Sequence, residues 1–445
     1  MSSEIISYQP TDGLCYDPKD PVYWDQDALD AELTRAFEIC HGCRMCFKYC
    51  DSFPDLFSFI DEAHDGDVRA ITAAETDTVM ESCFQCKLCE VQCPYTPRDG
   101  HDFQLDFPRL VHRYKAQRRR RTGLTLRDRM FGDPDRIGRL SRATLGLANG
   151  MNRVSLHRWF LEKVLGVHRD KQLPDYVAET FDAWAVGAGR DTGDTAVETV
   201  IFPTCFVNNN EPSIGKDTLA VMDANQVACE CVGGTGCCGM PAWESGDLEG
   251  LRKRAGVVLD KLMPYVDAGA KVLVLQPTCA MMIRRDYPEL LDDPRAQRLA
   301  DAVRDPSEFL WSIRKEDRFN SDFKSSPPGG TVAYHTPCHL RAQAVGFRGR
   351  ELMKKIPGTQ VTTVMECCGH DGTYAMKVEG FEPSARIGKP AFDGMNASDA
   401  VVWASECALA GIQFEQHAGR RAMHPMQVLA CAYRPDGFEI PEESP

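Results

Sequence analysis

Two cysteine patterns, each written twice, constrain this chain more than any other feature. Near the start are Cys40-x2-Cys43-x2-Cys46-x3-Cys50 and Cys83-x2-Cys86-x2-Cys89-x3-Cys93-Pro94. In the second half are Cys205…Cys237-Cys238-Gly239…Cys279 and Cys338…Cys367-Cys368-Gly369…Cys407. Together they take sixteen of the 20 cysteines. Three cysteines at x2 spacing let a short loop wrap one [4Fe–4S] cube, and the fourth, placed before proline, crosses to a neighbouring cube. The spacing predicts one cluster on Cys40, Cys43, Cys46 and Cys93, and a second on Cys83, Cys86, Cys89 and Cys50. In the first run the proline is displaced to Pro54. Structural zinc uses two cysteines per knuckle, which leaves the third and fourth surplus. Disulfides suit small secreted scaffolds rather than a chain of 445 residues.

That length allows two or three domains with their own cores. The start, Met1 to Ser7, has neither a cationic nor an apolar signal region, and no stretch approaches a membrane span. A reducing cytosol is the expected compartment for so many thiols. The net charge of −14 is uneven: from Arg109 to Lys171 there are 17 Lys and Arg against 5 Asp and Glu, leaving the remainder strongly acidic. Such asymmetry points to an acidic partner surface, anionic lipid or nucleic acid. Nucleic acid is disfavoured, because no aromatic stacking platform or reading motif accompanies the basic residues.

The spacing of equivalent cysteines in the second half is nearly constant. Cys205 to Cys338 is 133 residues, Cys237 to Cys367 is 130, and Cys279 to Cys407 is 128. This is an internal repeat of a half-domain. In each copy an apolar strand leads to the first cysteine (Val200–Phe202, Val332–Tyr334) and another to the last (Val272–Leu275, Ala400–Trp403), with helical stretches between. Uniformly apolar short strands alternating with helices predict parallel sheets covered on both faces. Ligands of such sheets sit beyond the C-terminal strand ends, so each cysteine set should converge on one rim. The glycine after each Cys-Cys pair should permit close backbone approach.

The expected organisation is multidomain α+β and α/β. An extended arm, 1–35, carries Pro18, Pro21, Tyr23 and Trp24. A mainly helical two-cluster [4Fe–4S] ferredoxin module spans 36–110, and a basic helical connector spans 111–195. Two duplicated α/β cysteine-rich half-domains follow at 196–325 and 326–432, then a tail at 433–445. In the connector, Leu126, Val154, Leu156, Trp159, Phe160 and Val164 interleave with basic residues at helical spacing. They read as helices packed on their own domain with a solvated basic face, or as a docking surface for a partner or a membrane.

The layout resembles the heterodisulfide-reductase-related iron–sulfur proteins with two Cys-Cys-Gly (CCG) domains. These include the iron–sulfur subunits of anaerobic glycerol-3-phosphate dehydrogenase and of glycolate oxidase. Cys40-His41-Gly42-Cys43-Arg44-Met45-Cys46 and Cys83-Phe84-Gln85-Cys86-Lys87-Leu88-Cys89 look like a subgroup encoded beside rubrerythrin. The resemblance implies metal binding by Cys205, Cys237, Cys238 and Cys279 and by Cys338, Cys367, Cys368 and Cys407, for one or two further clusters. Full family motifs end each set with Cys-x-x-Cys. This chain has Gln276 and Met282 around Cys279, and Ala404 and Ala410 around Cys407, so each set keeps four thiols.

The expected role is an electron relay between a flavin-containing dehydrogenase subunit, or a rubrerythrin-like redox protein, and a quinone or another redox protein. Its place would be the cytoplasm, with peripheral contact at the inner face of the membrane. The alternatives are an enzyme reducing a disulfide at a CCG cluster, and a binding module holding zinc or nothing. His335, His339 and His370 are candidates for tuning a cluster through hydrogen bonds. Cys229 and Cys231 have no counterpart in the second repeat and are expected to be strand residues, while Cys15 and Cys431 are ordinary free thiols. Gly233-Gly234-Thr235-Gly236 lacks the Lys-Ser/Thr of a phosphate loop, and no dinucleotide fingerprint is present.

Overall fold

Two loops that must curl around a ligand need backbone turned against its usual hand, and the chain supplies this at matching positions. In the computed structural model, which describes residues 8–11, 14–370 and 372–438, Arg44 after Cys43 has φ 56° and Lys87 after Cys86 has φ 59°. Left-handed backbone at a residue other than glycine is uncommon and costs about 1 kcal/mol or more, so the surrounding structure must hold it. Part of the terminal arm and most of the predicted tail lie outside the described residues.

The chain divides into two compact units. The first comprises Met1–Gly132, Pro241–Gly250 and Asp371–Tyr374. It is helical: Gln26–Cys43, Ser52–Ser58, Ala73–Glu81, Leu88–Gln92 and Phe107–Thr122 are its main helices. The Asp25 carboxylate caps the first of these by accepting from Ala28 N at 2.7 Å. Thr72 and Glu75 form a reciprocal capping box on the third. Arg35 and Glu32 are fully buried and joined by two hydrogen bonds of 2.6 and 2.8 Å, while Arg35 also donates to the carbonyls of Tyr8 and Phe103. Two charges can be buried together only when every donor finds an acceptor. Tyr23 is buried, with Arg113 donating to its carbonyl, so this part of the arm is pinned to the helix Phe107–Thr122.

The second unit comprises Asp133–Met240, Leu251–His370 and Ala375–Pro445. Residues 111–195, expected as one connector, are thus shared between the units. Among the described residues, seven strands form two small parallel sheets. The first has the order β2 (Cys229–Cys231), β1 (Thr199–Phe202), β3 (Lys271–Val274), β4 (Val303–Arg304). The second has β6 (Gln360–Val364), β5 (Thr331–His335), β7 (Val402–Ala404). All strand pairs are parallel. The order second–first–third recurs in both copies; β4 is an addition to the first. Long helices, Leu248–Asp267 in the first copy and Val378–Asn396 in the second, lead into the third strands. The core runs through both copies, with Ile201, Leu273, Val332 and Val402 in one buried cluster.

Three helices after Asp133 expose apolar residues rather than packing them. Leu145 is 93% exposed, Leu156 74%, Leu147 71% and Phe160 54%. The buried member of the helix Ser155–Leu165 is Arg158, which donates to the carbonyls of His168, Arg169 and Lys171 at 2.6–3.0 Å. Of the two readings of this segment, helices packed inward or an exposed docking surface, the exposure departs from the first, and in the helix Ser155–Leu165 it is the Arg158 guanidinium that turns inward to three carbonyls of the following loop.

Gly369 has φ +73°, and a Cβ there would lie 2.1 Å from the carbonyl oxygen of Ser384. Gly369→Ala is expected to lower stability by about 2–4 kcal/mol. Gly42→Ala, with nothing within 4 Å, should cost far less; denaturant titration of both checks this.

Candidate iron–sulfur sites

In the first unit, Cys40, Cys43, Cys46 and Cys93 line one small cavity walled by Phe53, Phe57 and Leu105. Burial, and then the nearby Cys46, Cys93 and Cys43, push the Cys40 thiol well above the usual range; burial pushes Cys46 to about 12. Cys89 is raised in the same way by burial and by Cys86, Cys83, Cys46 and Cys50. Burial raises Cys50, with Cys83 as its next influence. Cys40, Cys43, Cys46 and Cys93 thus line the same cavity, while Cys89 feels Cys86, Cys83 and Cys50 together with Cys46. Buried thiols this crowded cannot ionise together unless a cation replaces their protons. Among the described residues, no three His, Cys, Asp or Glu side chains are placed to hold a single metal ion.

In the second unit every CCG-set cysteine follows a strand. Cys205 lies in the helix Thr204–Asn209 after β1, and Cys279 in Pro277–Met281 after β3. Cys338 opens Cys338–Gln343 after β5, and Cys407 caps Ala408–Ala418 after β7. The first set meets. Cys205 and Cys238 lie close enough to Cys237 to perturb its thiol, and Cys238 Sγ lies 3.2 Å from Cys279 Sγ. These neighbouring thiols, with the Gly239 N–H and the Arg254 charge, hold Cys237 below the usual thiol range despite burial. Cys237 and burial raise Cys205, and Cys237, Cys279 and burial raise Cys238. In both copies the glycine N–H donates to the first sulfur of the pair, at 3.4 Å for Gly239 and 3.3 Å for Gly369. Cys238 and Cys368 are buried, while Cys338, Cys367 and Cys407 are half-buried.

Several supporting residues had no sequence signal. Tyr287, fully buried, donates to the Cys238 carbonyl at 2.7 Å. Asn209 donates to the Cys205 carbonyl at 2.9 Å, and the Cys237 N–H to Asp135 at 2.8 Å. Burial, and then the charge of Cys237, raise Asp135 to about 6. Lys171 is buried, donates to Gln413 at 2.5 Å and feels the Cys368 charge; burial lowers it to about 8. Gln276, at one of the positions where the fuller motif has cysteine, sends its amide N–H to Cys407 Sγ at 3.2 Å and accepts from Ala408 N at 3.2 Å. The histidines are mostly committed: His335 bonds Ser405 and the Glu366 carbonyl, and His339 bonds Thr278. His370 is buried with Nδ1 unpartnered. Cys229 and Cys231 lie on β2, as expected of strand residues.

Comparison with known proteins agrees with this geometry. A model of a 4Fe-4S dicluster domain matches residues 39–96, and one of a cysteine-rich domain, CCG, matches residues 199–284 and 332–414. The chain belongs to the iron–sulfur proteins that join a 4Fe–4S dicluster domain to two CCG domains. One subunit of the anaerobic glycerol-3-phosphate dehydrogenase of Escherichia coli (strain K12) is 28% identical over 397 residues, 80% of this chain and 99% of that one. Lactate utilization protein A of Bacillus licheniformis is 26% identical over 243 residues, 52% of this chain and 96% of that one.

Tyr287→Phe leaves the buried Cys238 carbonyl without its donor and is expected to cost about 1–3 kcal/mol in thermal or denaturant unfolding.

Proposed function

We propose that the chain is the electron-transfer subunit of an oxidoreductase. A dehydrogenase partner carrying flavin would deliver electrons, and a quinone or another redox protein would accept them. The observation that carries this reading is the make-up of the first unit. Its segment Pro241–Gly250 begins just after Cys237-Cys238-Gly239, and there Trp243 stacks on His112 at 4.7 Å with Lys87 5.2 Å from the ring. Tyr374, shortly after Cys367-Cys368-Gly369 in sequence, packs its ring 5.0 Å from Phe84. Within the first unit, both of these segments therefore pack on the Cys83–Cys89 run. The likeness to a dehydrogenase subunit over nearly that subunit's whole length supports the same reading. Neither disulfide reduction nor a rubrerythrin-linked role is favoured by these relatives.

The sixteen CCG-set and ferredoxin-run cysteines would hold the clusters, which supply one-electron carriage when bound. The chain's own part is to exclude water and to set local charge. Burial keeps His112 at about 3, hence neutral at physiological pH. N–H donors such as Gly239, Gly369 and Gln276 stabilise added negative charge on sulfur.

Iron and acid-labile sulfide on anaerobically purified protein test the reading. Roughly eight irons per chain correspond to the two ferredoxin cubes, and about twelve to sixteen to filled CCG sets as well. Fewer than eight, or no dithionite-reducible spectrum, would remove the proposal. Cys229→Ser should leave the count unchanged. Gln276→Leu should keep the iron but move the midpoint potential of a cluster on Cys407 to a more negative value.

The exposed apolar helices fit a peripheral membrane contact, although no helix among the described residues is long and apolar enough to cross a membrane. Between Leu140 and Val164, Glu162 is the only acid, and Arg142, Arg153, Arg158 and Lys163 are basic. An apolar surface rimmed with cations suits an anionic lipid interface. Trp159→Glu combined with Phe160→Glu should abolish co-sedimentation with vesicles rich in phosphatidylglycerol; unchanged binding would exclude this surface.

A further inference from the structure

Beside the first CCG set lies an open cavity of about 370 Å³. That is large enough for a small metabolite and near the lower end of ligand-pocket sizes. Its walls bring together Arg139, Arg142, Arg254, Thr235 and Cys237 with the Gly234–Gly236 loop. Three backbone donors in and beside this loop are already answered. Gly233 N–H donates to Asp191 at 3.2 Å, Gly234 N–H to Asp182 at 3.0 Å, and Cys237 N–H to Asp135 at 2.8 Å. Three carboxylates thus satisfy those donors, which leaves the side chains of the wall to meet a ligand.

The unanswered donors are on the side chains. The Arg139 guanidinium makes no hydrogen bond or ion pair among the described residues. Arg142 spends one N–H on Asn209 Oδ1 at 2.5 Å. Arg254 has an ion pair of 3.6 Å with Asp133, and its buried Nε has no partner. The Thr235 hydroxyl, in a residue 1% exposed, is likewise unpaired. A buried polar group without a partner costs about 1–3 kcal/mol, and two at one cavity wall suggest that something else completes them. Of the charged side chains lining the cavity, Asp135 and Asp182 oppose the three guanidiniums and already accept from the loop. The Arg139 guanidinium is left as the cation of this wall with no acceptor among the described residues.

We infer that this cavity is a binding site for a small oxyanion, a carboxylate or phosphate, held by Arg139, Arg142 and Arg254 and by the Thr235 hydroxyl. A guanidinium fork matches the paired oxygens of either group. Cys237 lines the same cavity, so the bound anion sits against the rim of the first cysteine set. The site does not depend on the chain being an electron carrier. Its occupant adds negative charge next to Cys237 and so opposes reduction of a group held there.

The test is calorimetric titration of the anaerobically purified full chain with inorganic phosphate and, separately, acetate, with iron content measured on the same samples. Saturable one-site binding of either anion is expected, and which binds tells phosphate from carboxylate. Arg139→Ala, which breaks no internal contact, should weaken binding about tenfold or more. Thr235→Val, nearly isosteric, should weaken it less. Arg153→Ala, a connector residue outside this cavity, should leave it unchanged. Absence of saturable binding, wild-type affinity in Arg139→Ala, or an equal loss in Arg153→Ala would overturn the site. Because binding is read without any reduction step, these outcomes are separate from the iron count on which the electron-transfer reading stands.

Discussion

Sulfur that must be both buried and charged is the constraint on which the rest of this structure depends. Burial alone drives Cys40, Cys50 and Cys89 far from ionisation, and crowding several thiolates adds mutual repulsion. Only bound cations relieve both. The fold must therefore hold an arrangement that is unfavourable when empty. It does so with elements that do not depend on the metal: capped helices, a fully buried Arg35–Glu32 pair, and left-handed turns at Arg44 and Lys87. In the second unit the glycine N–H after each Cys-Cys pair donates to the pair's first sulfur, at 3.4 and 3.3 Å, which favours negative charge on that atom.

What could be read from the sequence was what covalent spacing controls. The two ferredoxin runs wrap locally, and the strands leading to Cys205, Cys279, Cys338 and Cys407 carry continuous apolar residues, so their parallel pairing follows from composition. Tyr287, Asp135, Lys171 and Arg254 reach the cysteines through tertiary contacts from distant parts of the chain, and no local pattern marks them. Gln276 was visible only as a cysteine that is missing; its contact with Cys407 joins the two repeats and exists only once both have folded. Periodicity in the connector revealed an apolar stripe but not its direction. The demand of three carbonyls for Arg158 decided that.

The duplication is not symmetric. The first copy has a fourth strand, a mostly buried cysteine set, and the arginine-lined cavity at its edge. The second has three strands and a set in which only Cys368 is buried. Gene duplication supplies two equal frameworks, and small changes in packing then make one set enclosed and the other more open to solvent. Enclosure and solvent access are among the levers that separate the potentials of chemically similar sites.

The composition of the first unit bears on synthesis. Two of its pieces, Pro241–Gly250 and Asp371–Tyr374, are encoded far downstream of the cysteine runs they join. A chain leaving the ribosome presents Cys40 to Cys93 long before Trp243 and Tyr374 exist. During that interval the module lacks part of its packing, and its thiols are more open to solvent and oxidant than in the finished fold. Truncation after residue 132 would capture that unfinished state, so an excised ferredoxin segment would represent a biosynthetic intermediate rather than a domain.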